Sequence, residues 1–193
     1  MMRTLLALIA AWMILGVPVV AQAQPSLSAG EQELMQAAFD GNLDDARRLI
    51  ASDTAVDAAD GEKRTSLMWA SFNGHTLVVG FLLESGAEVN AKDASGRTAL
   101  LYASSGPYAE TVALLLDKGA DVNVQGTLEG FTALMTAAAE GQLEVVRLLL
   151  EHGADLRLLD KDGDTAESFA RQKGHIAVET LLKDPPAPAP KKD

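Results

Sequence analysis

The chain has 193 residues and carries 27 acidic and 16 basic side chains, which gives a net charge of −11 at pH 7. This acidic balance argues against nucleic acids and anionic membrane surfaces as ligands, because both bind basic patches. The sequence has no cysteine, so disulfides cannot stabilise the protein and no lipidated cysteine can anchor it.

Residues 1–23 predict a secretory signal peptide. Arg3 gives a positive start, and residues 5–20 are apolar apart from one glycine and one proline. That segment is short for a membrane-spanning helix, which needs about 20 residues, and Ala21-Gln22-Ala23 fits the small-x-small cleavage pattern. We expect cleavage between Ala23 and Gln24 and a bacterial periplasmic protein; an uncleaved membrane anchor is the alternative. Cleavage would remove one basic residue, leaving 15 basic and 27 acidic residues and a net charge of −12.

Residues 24–30 are predicted to be a linker that leads into the first helix. Ser28 and Glu31 have the spacing of a capping box, in which each residue's side chain accepts a hydrogen bond from the other's backbone N–H. The folded domain is therefore expected to begin at about residue 31.

From there the sequence repeats itself with a period near 33 residues. Thr65, Thr98, Thr132 and Thr165 each open a T-x-(L/E)-x-x-A run, at intervals of 33, 34 and 33 residues. The run Gly-Ala-Glu-Val-Asn at residues 86–90 returns as Gly-Ala-Asp-Val-Asn at 119–123 and as Gly-Ala-Asp-Leu-Arg at 153–157. A fixed period of this length indicates a stacked repeat architecture.

Each unit predicts two helices and a turn. Glycine before the threonine suits a tight turn, and the threonine hydroxyl can cap the helix that follows. In the unit that starts near residue 60, a first helix ends at Asn73-Gly74, and a second runs from residue 76 to residue 84 and ends at Ser85-Gly86. One such unit cannot bury its own apolar face, so it has to stack on its neighbours.

These motifs resemble the ankyrin-repeat family, whose units carry T-P-L-H-x-A and a G-A-D-V-N loop. The resemblance covers residues 31–183 and implies an all-α solenoid of about five helix-turn-helix repeats with β-turn or hairpin loops. Three full repeats, at residues 60–93, 94–127 and 128–160, would lie between terminal caps at 31–59 and 161–183. Among members of the family, the chain is similar to small exported bacterial ankyrin-repeat proteins.

The chain departs from the family pattern at three places. The Pro-His pair is replaced by Ser66 and Met68, Ala99 and Leu101, and Ala133 and Met135, where we expect apolar contacts instead. Gly106-Pro107-Tyr108 stands where Gly-His is usual, so the inter-helix turn of that unit is expected to differ locally. One extra residue in the segment 126–130 lengthens the loop before Thr132.

The last ten residues, 184–193, read D-P-P-A-P-A-P-K-K-D. Proline and alanine favour an extended, solvated chain, and the segment has no large apolar side chain with which to dock. We predict a disordered tail; a role as a ligand for proline-binding domains is the weaker alternative.

No constellation of residues points to catalysis. The sequence has no HExxH, CxxC, GxSxG or phosphate-binding glycine loop. His75, His152 and His175 lie in different units and are expected to have structural roles. The run Asp160-Lys161-Asp162-Gly163-Asp164 lacks the glutamate of a calcium loop, and a turn explains it better. We therefore predict no catalytic residue, no cofactor and no metal.

The resemblance implies a concave binding face, formed by loop tips and by the ends of the first helices. Phe72 and Phe131 are large apolar residues at positions expected to be exposed; an interface role and a structural role are equally compatible with the sequence. Trp69 and Tyr102 occupy equivalent positions in successive units and should be neighbours, within either the core or the face. The predicted protein-binding residues are Glu62, Arg64, Phe72, Asn73, Arg97, Ser105, Glu129, Phe131 and Glu140.

The leading functional hypothesis is a monomeric, non-catalytic periplasmic protein that binds another protein through this face. Exported ankyrin proteins that resemble it have been linked to support of catalase and to oxidative-stress defence. The resemblance implies such a role for this chain. The alternative is an inhibitor or immunity-type protein that occludes a basic enzyme site, with binding that weakens steeply as salt rises. A third possibility is an enzyme with an unrecognised carboxylate site.

Overall fold

The computed structural model describes residues 27–186. The predicted signal peptide, the cleavage position between Ala23 and Gln24, and the tail beyond residue 186 lie outside the described residues. Residues 27–186 form ten α-helices, which are α1 Ala29–Asp40, α2 Leu43–Ala51, α3 Ser66–Phe72, α4 Thr76–Glu84, α5 Ala99–Ala103, α6 Ala109–Asp117, α7 Ala133–Ala139, α8 Leu143–Glu151, α9 Ala166–Lys173 and α10 Ile176–Lys183.

The helices form five antiparallel pairs in two layers. The first helices of the units, α1, α3, α5, α7 and α9, each contact the next one along the chain. The second helices, α2, α4, α6, α8 and α10, do the same in the other layer. An isolated antiparallel bridge joins Ala59 and Thr65 in the loop before α3. The predicted all-α solenoid of five helix-turn-helix repeats is confirmed.

Two columns of buried leucines produce this stacking. Leu34, Leu67, Leu100 and Leu134 lie in successive first helices, and Leu49, Leu82, Leu115, Leu149 and Leu182 in successive second helices. Because the spacing follows the sequence period, each leucine meets the apolar face of the next unit. Met68, Leu101 and Met135, which replace the histidine of the family motif, are buried in the same core, as expected.

The beginnings of the helices follow the sequence closely. Ser28 and Glu31 form the predicted capping box at α1. Thr65, Thr132 and Thr165 each accept a hydrogen bond from the backbone N–H three residues on. Thr98 is the exception, because its hydroxyl is buried and has no hydrogen-bond partner within the described residues.

This difference between units predicts opposite effects of the same substitution. Thr98→Val should raise the free energy of unfolding by about 1 kcal/mol, because a buried hydroxyl without a partner is replaced by an isosteric methyl group. Thr132→Val should lower it by about 1 kcal/mol, because the bond to the Met135 N–H is lost. Urea denaturation of the two variants measures both values. Equal losses of stability in the two variants would contradict this difference in hydrogen bonding between Thr98 and Thr132.

The turn between α5 and α6 differs from the others, as predicted from Gly106-Pro107-Tyr108. In the other four units, the residue before the second helix donates its backbone N–H to a carbonyl five residues earlier, as in the 2.9 Å bond from His75 to Ala70. Within residues 27–186, no such bond joins Tyr108 to Ala103. Helix α5 is accordingly only five residues long.

Candidate protein-binding surface

The surface of interest, called here the first-helix face, consists of the loop tips before α3, α5, α7 and α9 and the exposed sides of the first helices. Successive tips are joined by backbone hydrogen bonds. The Ala94 N–H donates to Glu62 O at 2.8 Å, Thr127 to Ser95 O at 2.7 Å, and Lys161 to Glu129 O at 2.9 Å. The tips therefore form one continuous row.

All nine predicted binding residues lie on this face and are accessible to solvent. Glu62 and Glu129 are exposed. The other seven are half-buried, namely Arg64, Phe72, Asn73, Arg97, Ser105, Phe131 and Glu140. The structure thus brings the predicted set onto one surface, although several of its members also contribute to packing.

Phe72 and Phe131 do not project freely into solvent, which corrects the expectation that they are exposed. The Phe72 ring packs edge-to-face on Tyr102, with centroids 6.1 Å apart. The Phe131 ring packs in the same way on Phe169, at 5.2 Å. Each phenylalanine therefore joins two units and still offers part of its ring to solvent.

Trp69 and Tyr102 each pack on a phenylalanine of the preceding unit. Among the described residues, their rings form no aromatic pair with each other; Trp69 packs edge-to-face on Phe39 at 5.6 Å, and Tyr102 on Phe72. The pairs connect the last turn of one first helix with the middle of the next. Four half-buried rings from three successive units therefore lie on the first-helix face.

Two arginines lie on these rings. The guanidinium carbon of Arg64 is 4.5 Å from the centroid of the Trp69 ring, and that of Arg97 is 5.0 Å from the centroid of Tyr102. Both distances are within the range of cation–π attraction. Arg64 Nε donates to Asp60 Oδ2 at 2.8 Å, and Arg97 Nε donates to Asp93 Oδ2 at 2.9 Å.

The turns before α3 and α5 hold each arginine in place. Asp60 Oδ1 accepts hydrogen bonds from the backbone N–H groups of Glu62 and Arg64, at 2.9 Å each. Asp93 Oδ1 accepts the equivalent bonds from Ser95 and Arg97. The other carboxylate oxygen of each aspartate remains available for the arginine side chain. An aspartate four residues before an arginine and nine before an aromatic residue is the sequence pattern of this arrangement.

Tyr102 is tied into the second of these clusters. Its hydroxyl donates to Asp93 Oδ2 at 2.7 Å. Burial of the ring, reinforced by this hydrogen bond, raises the pKa of Tyr102 well above its ordinary value.

The raised pKa predicts how Tyr102 behaves at alkaline pH. The stability that comes from keeping the phenol protonated should be complete below the unfolded-state pKa of about 10, and should be lost as the pH rises through the higher folded-state value. An absorbance titration should show a phenolate component that appears late, together with a fall in stability. Tyr102→Phe should remove that component. A titration curve that is unchanged in this variant would contradict the prediction.

The face has a different character in the last two units. Phe131 and Asp164 occupy the positions of Arg64 and Arg97. Asp160 Oδ1 accepts bonds from the backbone N–H groups of Asp162 and Asp164. This run is therefore a turn, in agreement with the interpretation of its sequence. No group of three or more potential metal ligands occurs among the described residues.

Leu128 is a surface feature that the prediction missed. It lies in the lengthened loop between Gly126 and Gly130, whose ends are joined by a 3.0 Å backbone hydrogen bond, and 61% of it is exposed. The loop folds back on itself, so Phe131 turns towards Phe169 while Leu128 stays accessible. The signal available in the sequence was an apolar residue inserted between two glycines.

Some predicted residues stabilise the stack. Asn73 Nδ2 and His75 Nε2 both donate to the Phe39 carbonyl oxygen, at 2.8 and 2.9 Å. His175 Nε2 donates in the same way to Ala139 O at 3.1 Å. The amide of Asn73 is therefore partly engaged in joining two units. His75 and His175 have the structural roles that were expected of them.

Two family models match the chain, and both are described as ankyrin repeats. A model of three copies matches residues 34–126, and a model of many copies matches residues 115–170. No curated protein gives a significant match. None of the helices within residues 27–186 is long and apolar enough to cross a membrane. Ankyrin repeats generally mediate protein–protein interactions, and proteins built from them are typically non-enzymatic. The chain, with its five stacked helical pairs and two matching models, belongs to the ankyrin-repeat family.

Proposed function

We propose that this protein is a non-catalytic, monomeric module that binds one partner protein through its first-helix face. The observation that supports this most directly is the set of four rings from Phe39, Trp69, Phe72 and Tyr102 with two arginines stacked on them. Tryptophan, tyrosine and arginine are the residues most enriched in binding hot spots.

The rigidity of this set favours binding. Each ring is fixed by a neighbouring ring, and each arginine by an aspartate and a ring. Side chains that are already held in one conformation lose little entropy on association, so more of the contact energy appears as affinity. The hydrogen-bonded row of loop tips extends the same face towards the C-terminal units.

Blocking substitutions test the face without removing its packing. Ser105 and Ala139 are half-buried at the ends of α5 and α7, so Ser105→Arg/Ala139→Arg should obstruct the face while the aromatic pairs remain. Leu77→Arg is the matched control, because Leu77 is 76% exposed on the second helix α4. The proteins would be crosslinked in cells and captured. A protein retained by the wild type and by the control but lost by the double variant supports the proposal. Equal capture by all three would refute it.

We further propose that the protein acts in the periplasm after removal of residues 1–23. The support is the sequence pattern of the N-terminus, which predicts Gln24 as the first residue of the mature chain. The intact mass of the protein recovered from the periplasmic fraction checks this. Recovery of the unprocessed chain in the membrane fraction would instead favour the uncleaved anchor.

A role in oxidative-stress defence is the most specific part of the proposal, and it rests on the resemblance to exported bacterial ankyrin proteins. Cells lacking the protein should survive peroxide less well, and the wild type should restore survival. The Ser105→Arg/Ala139→Arg variant should fail to restore it if the first-helix face is responsible. Unchanged survival without the protein would remove this part of the proposal and leave the binding role intact.

The alternative, an inhibitor of an enzyme with a basic site, is favoured by a different observation. Acidic side chains are concentrated in the last two units of the face, where Glu129 and Asp162 are exposed and Glu140 and Asp164 half-buried. Binding through these carboxylates should weaken steeply as salt rises, whereas binding through the aromatic set should change little. The salt dependence of the captured complex distinguishes the two. An enzymatic role would require that the protein turns over a substrate and that a single Asp or Glu substitution abolishes this turnover.

A further inference from the structure

The contacts that hold Arg64 and Arg97 use only some of the hydrogen-bond donors of their side chains. Each makes a hydrogen bond to its aspartate through Nε. Among residues 27–186, the terminal nitrogens of Arg64 and Arg97 donate no hydrogen bond. A guanidinium group has five N–H donors in a planar fork, so each arginine retains donors for a ligand while its position is already fixed.

The two forks are held by equivalent contacts in consecutive units. The arginines occupy the same position in consecutive units, and their loop tips are joined by the hydrogen bond from Ala94 to Glu62. Because each fork makes the same contacts within its own unit, we expect the two forks to be separated by about the distance between neighbouring packed helices, about 8–10 Å. Arg64 lies on the Trp69 ring of one unit, and Arg97 lies on the equivalent Tyr102 ring of the next.

The planar fork of a guanidinium group matches the two oxygens of a carboxylate. In an extended polyproline-type segment, which has three residues per turn and rises about 3.1 Å per residue, side chains three positions apart point to the same side and are about 9 Å apart. That distance is close to the spacing of about 8–10 Å that we expect between the two forks. Neighbouring Trp69, Phe72 and Tyr102 supply aromatic surfaces of the kind on which such segments dock.

We propose that Arg64 and Arg97 bind two carboxylates, three residues apart, on an extended acidic segment of the partner protein. This inference rests on the proposed binding role of the first-helix face and names the chemistry of the segment bound there. Longer polyanions such as nucleic acids are disfavoured, because Glu62 is exposed at the same tip as Arg64 and the chain carries a net charge of −11. A segment with only two carboxylates, in contrast, places its negative charge at the two arginines.

Short synthetic peptides test the proposal with the full exported chain. The probe is the blocked hexapeptide PEPPEP, in which two glutamates are three residues apart. Its matched controls are PQPPQP, which has no carboxylates, and PEPEPP, which places them two residues apart. Binding is followed by NMR through the side-chain Nε–H signals of Arg64 and Arg97 and the indole signal of Trp69. We expect PQPPQP to bind at least about tenfold more weakly than PEPPEP, and PEPEPP to lie between them.

Substitutions in the protein provide the second arm. Arg64→Lys and Arg97→Lys keep the charge but remove the fork, and each should weaken PEPPEP binding about tenfold. Arg157→Lys is the control, because Arg157 is 88% exposed and lies in a different loop, paired with Asp155. Equal binding of PEPPEP and PQPPQP, absence of PEPPEP binding, or lysine variants that bind like the wild type would each overturn the inference. Partner capture with the blocking variants is independent of the peptides, so failure here would remove the carboxylate site and leave the proposed function standing.

Discussion

Replacing Gly74 with alanine should lower the free energy of unfolding by about 2–5 kcal/mol. Gly74 has a φ of +69°, and a Cβ atom placed on it would lie 2.1 Å from Cδ1 of Tyr108 in the next unit. The substitution therefore combines backbone strain with a steric clash against a ring that packs between two units. Urea denaturation monitored by circular dichroism measures the loss.

A second glycine separates the two causes. Gly153 has a φ of +84°, but a Cβ atom there would meet nothing within 4 Å. Gly153→Ala should therefore cost only the strain of the left-handed conformation, about 1–2 kcal/mol. Tyr108→Ala should recover part of the loss in Gly74→Ala, because removing the ring removes the clash. If Gly74→Ala and Gly153→Ala lose the same stability, the clash with Tyr108 contributes nothing.

The fold could be predicted because the residues that determine it act within one unit and recur with the sequence period. One unit places Thr65 at a helix start, Gly86 after a helix end and leucines on the faces between, and the period copies these positions into each neighbour. The loop motif also has a repeated structural role. Asn90 Oδ1 accepts from the Asp121 N–H, and Asn123 Oδ1 accepts from the Asp155 N–H, both at 2.8 Å. A residue that serves the same function in successive units is visible in the sequence as a repeat.

The surface was less predictable, because its contacts join different positions of two units. Equivalent positions place Trp69 and Tyr102 in neighbouring units, but they do not show that each ring packs on a phenylalanine from the end of the preceding first helix. The exposure of Phe72 depends on whether the next unit carries an aromatic ring that can pack on it. The spacing of residues within one unit does not show this. The exposure of Leu128 depends on how the lengthened loop closes at Gly130.

The aromatic and arginine pattern lies between these two cases. Asp60, Arg64 and Trp69 recur as Asp93, Arg97 and Tyr102, so the positions are periodic. The prediction selected both arginines as tip residues but placed neither of them on a ring. The missing element was the turn, in which the aspartate accepts two backbone N–H groups and thereby fixes the direction of the arginine. Once the turn is known, the pattern to look for in a sequence is an aspartate four residues before an arginine and nine residues before an aromatic residue.

Leu115→Ala should lower the free energy of unfolding by about 2–5 kcal/mol. Leu115 is fully buried in α6, the second helix of the middle unit, which contacts both α4 and α8. A cavity there weakens two interfaces, and in a stack held by contacts between neighbours it divides the chain into two shorter arrays.

The position of a leucine in the stack, and its burial, should determine the size of the loss. Leu182→Ala in α10, which has a neighbouring unit on one side among the described residues, should cost less than Leu115→Ala. Leu77→Ala, at a residue that is 76% exposed, should change stability by less than about 0.5 kcal/mol. Urea denaturation of the three variants gives the order. If Leu182→Ala were as costly as Leu115→Ala, the units would not be coupled mainly through their neighbours, and the stack would unfold as one block irrespective of where the cavity lies.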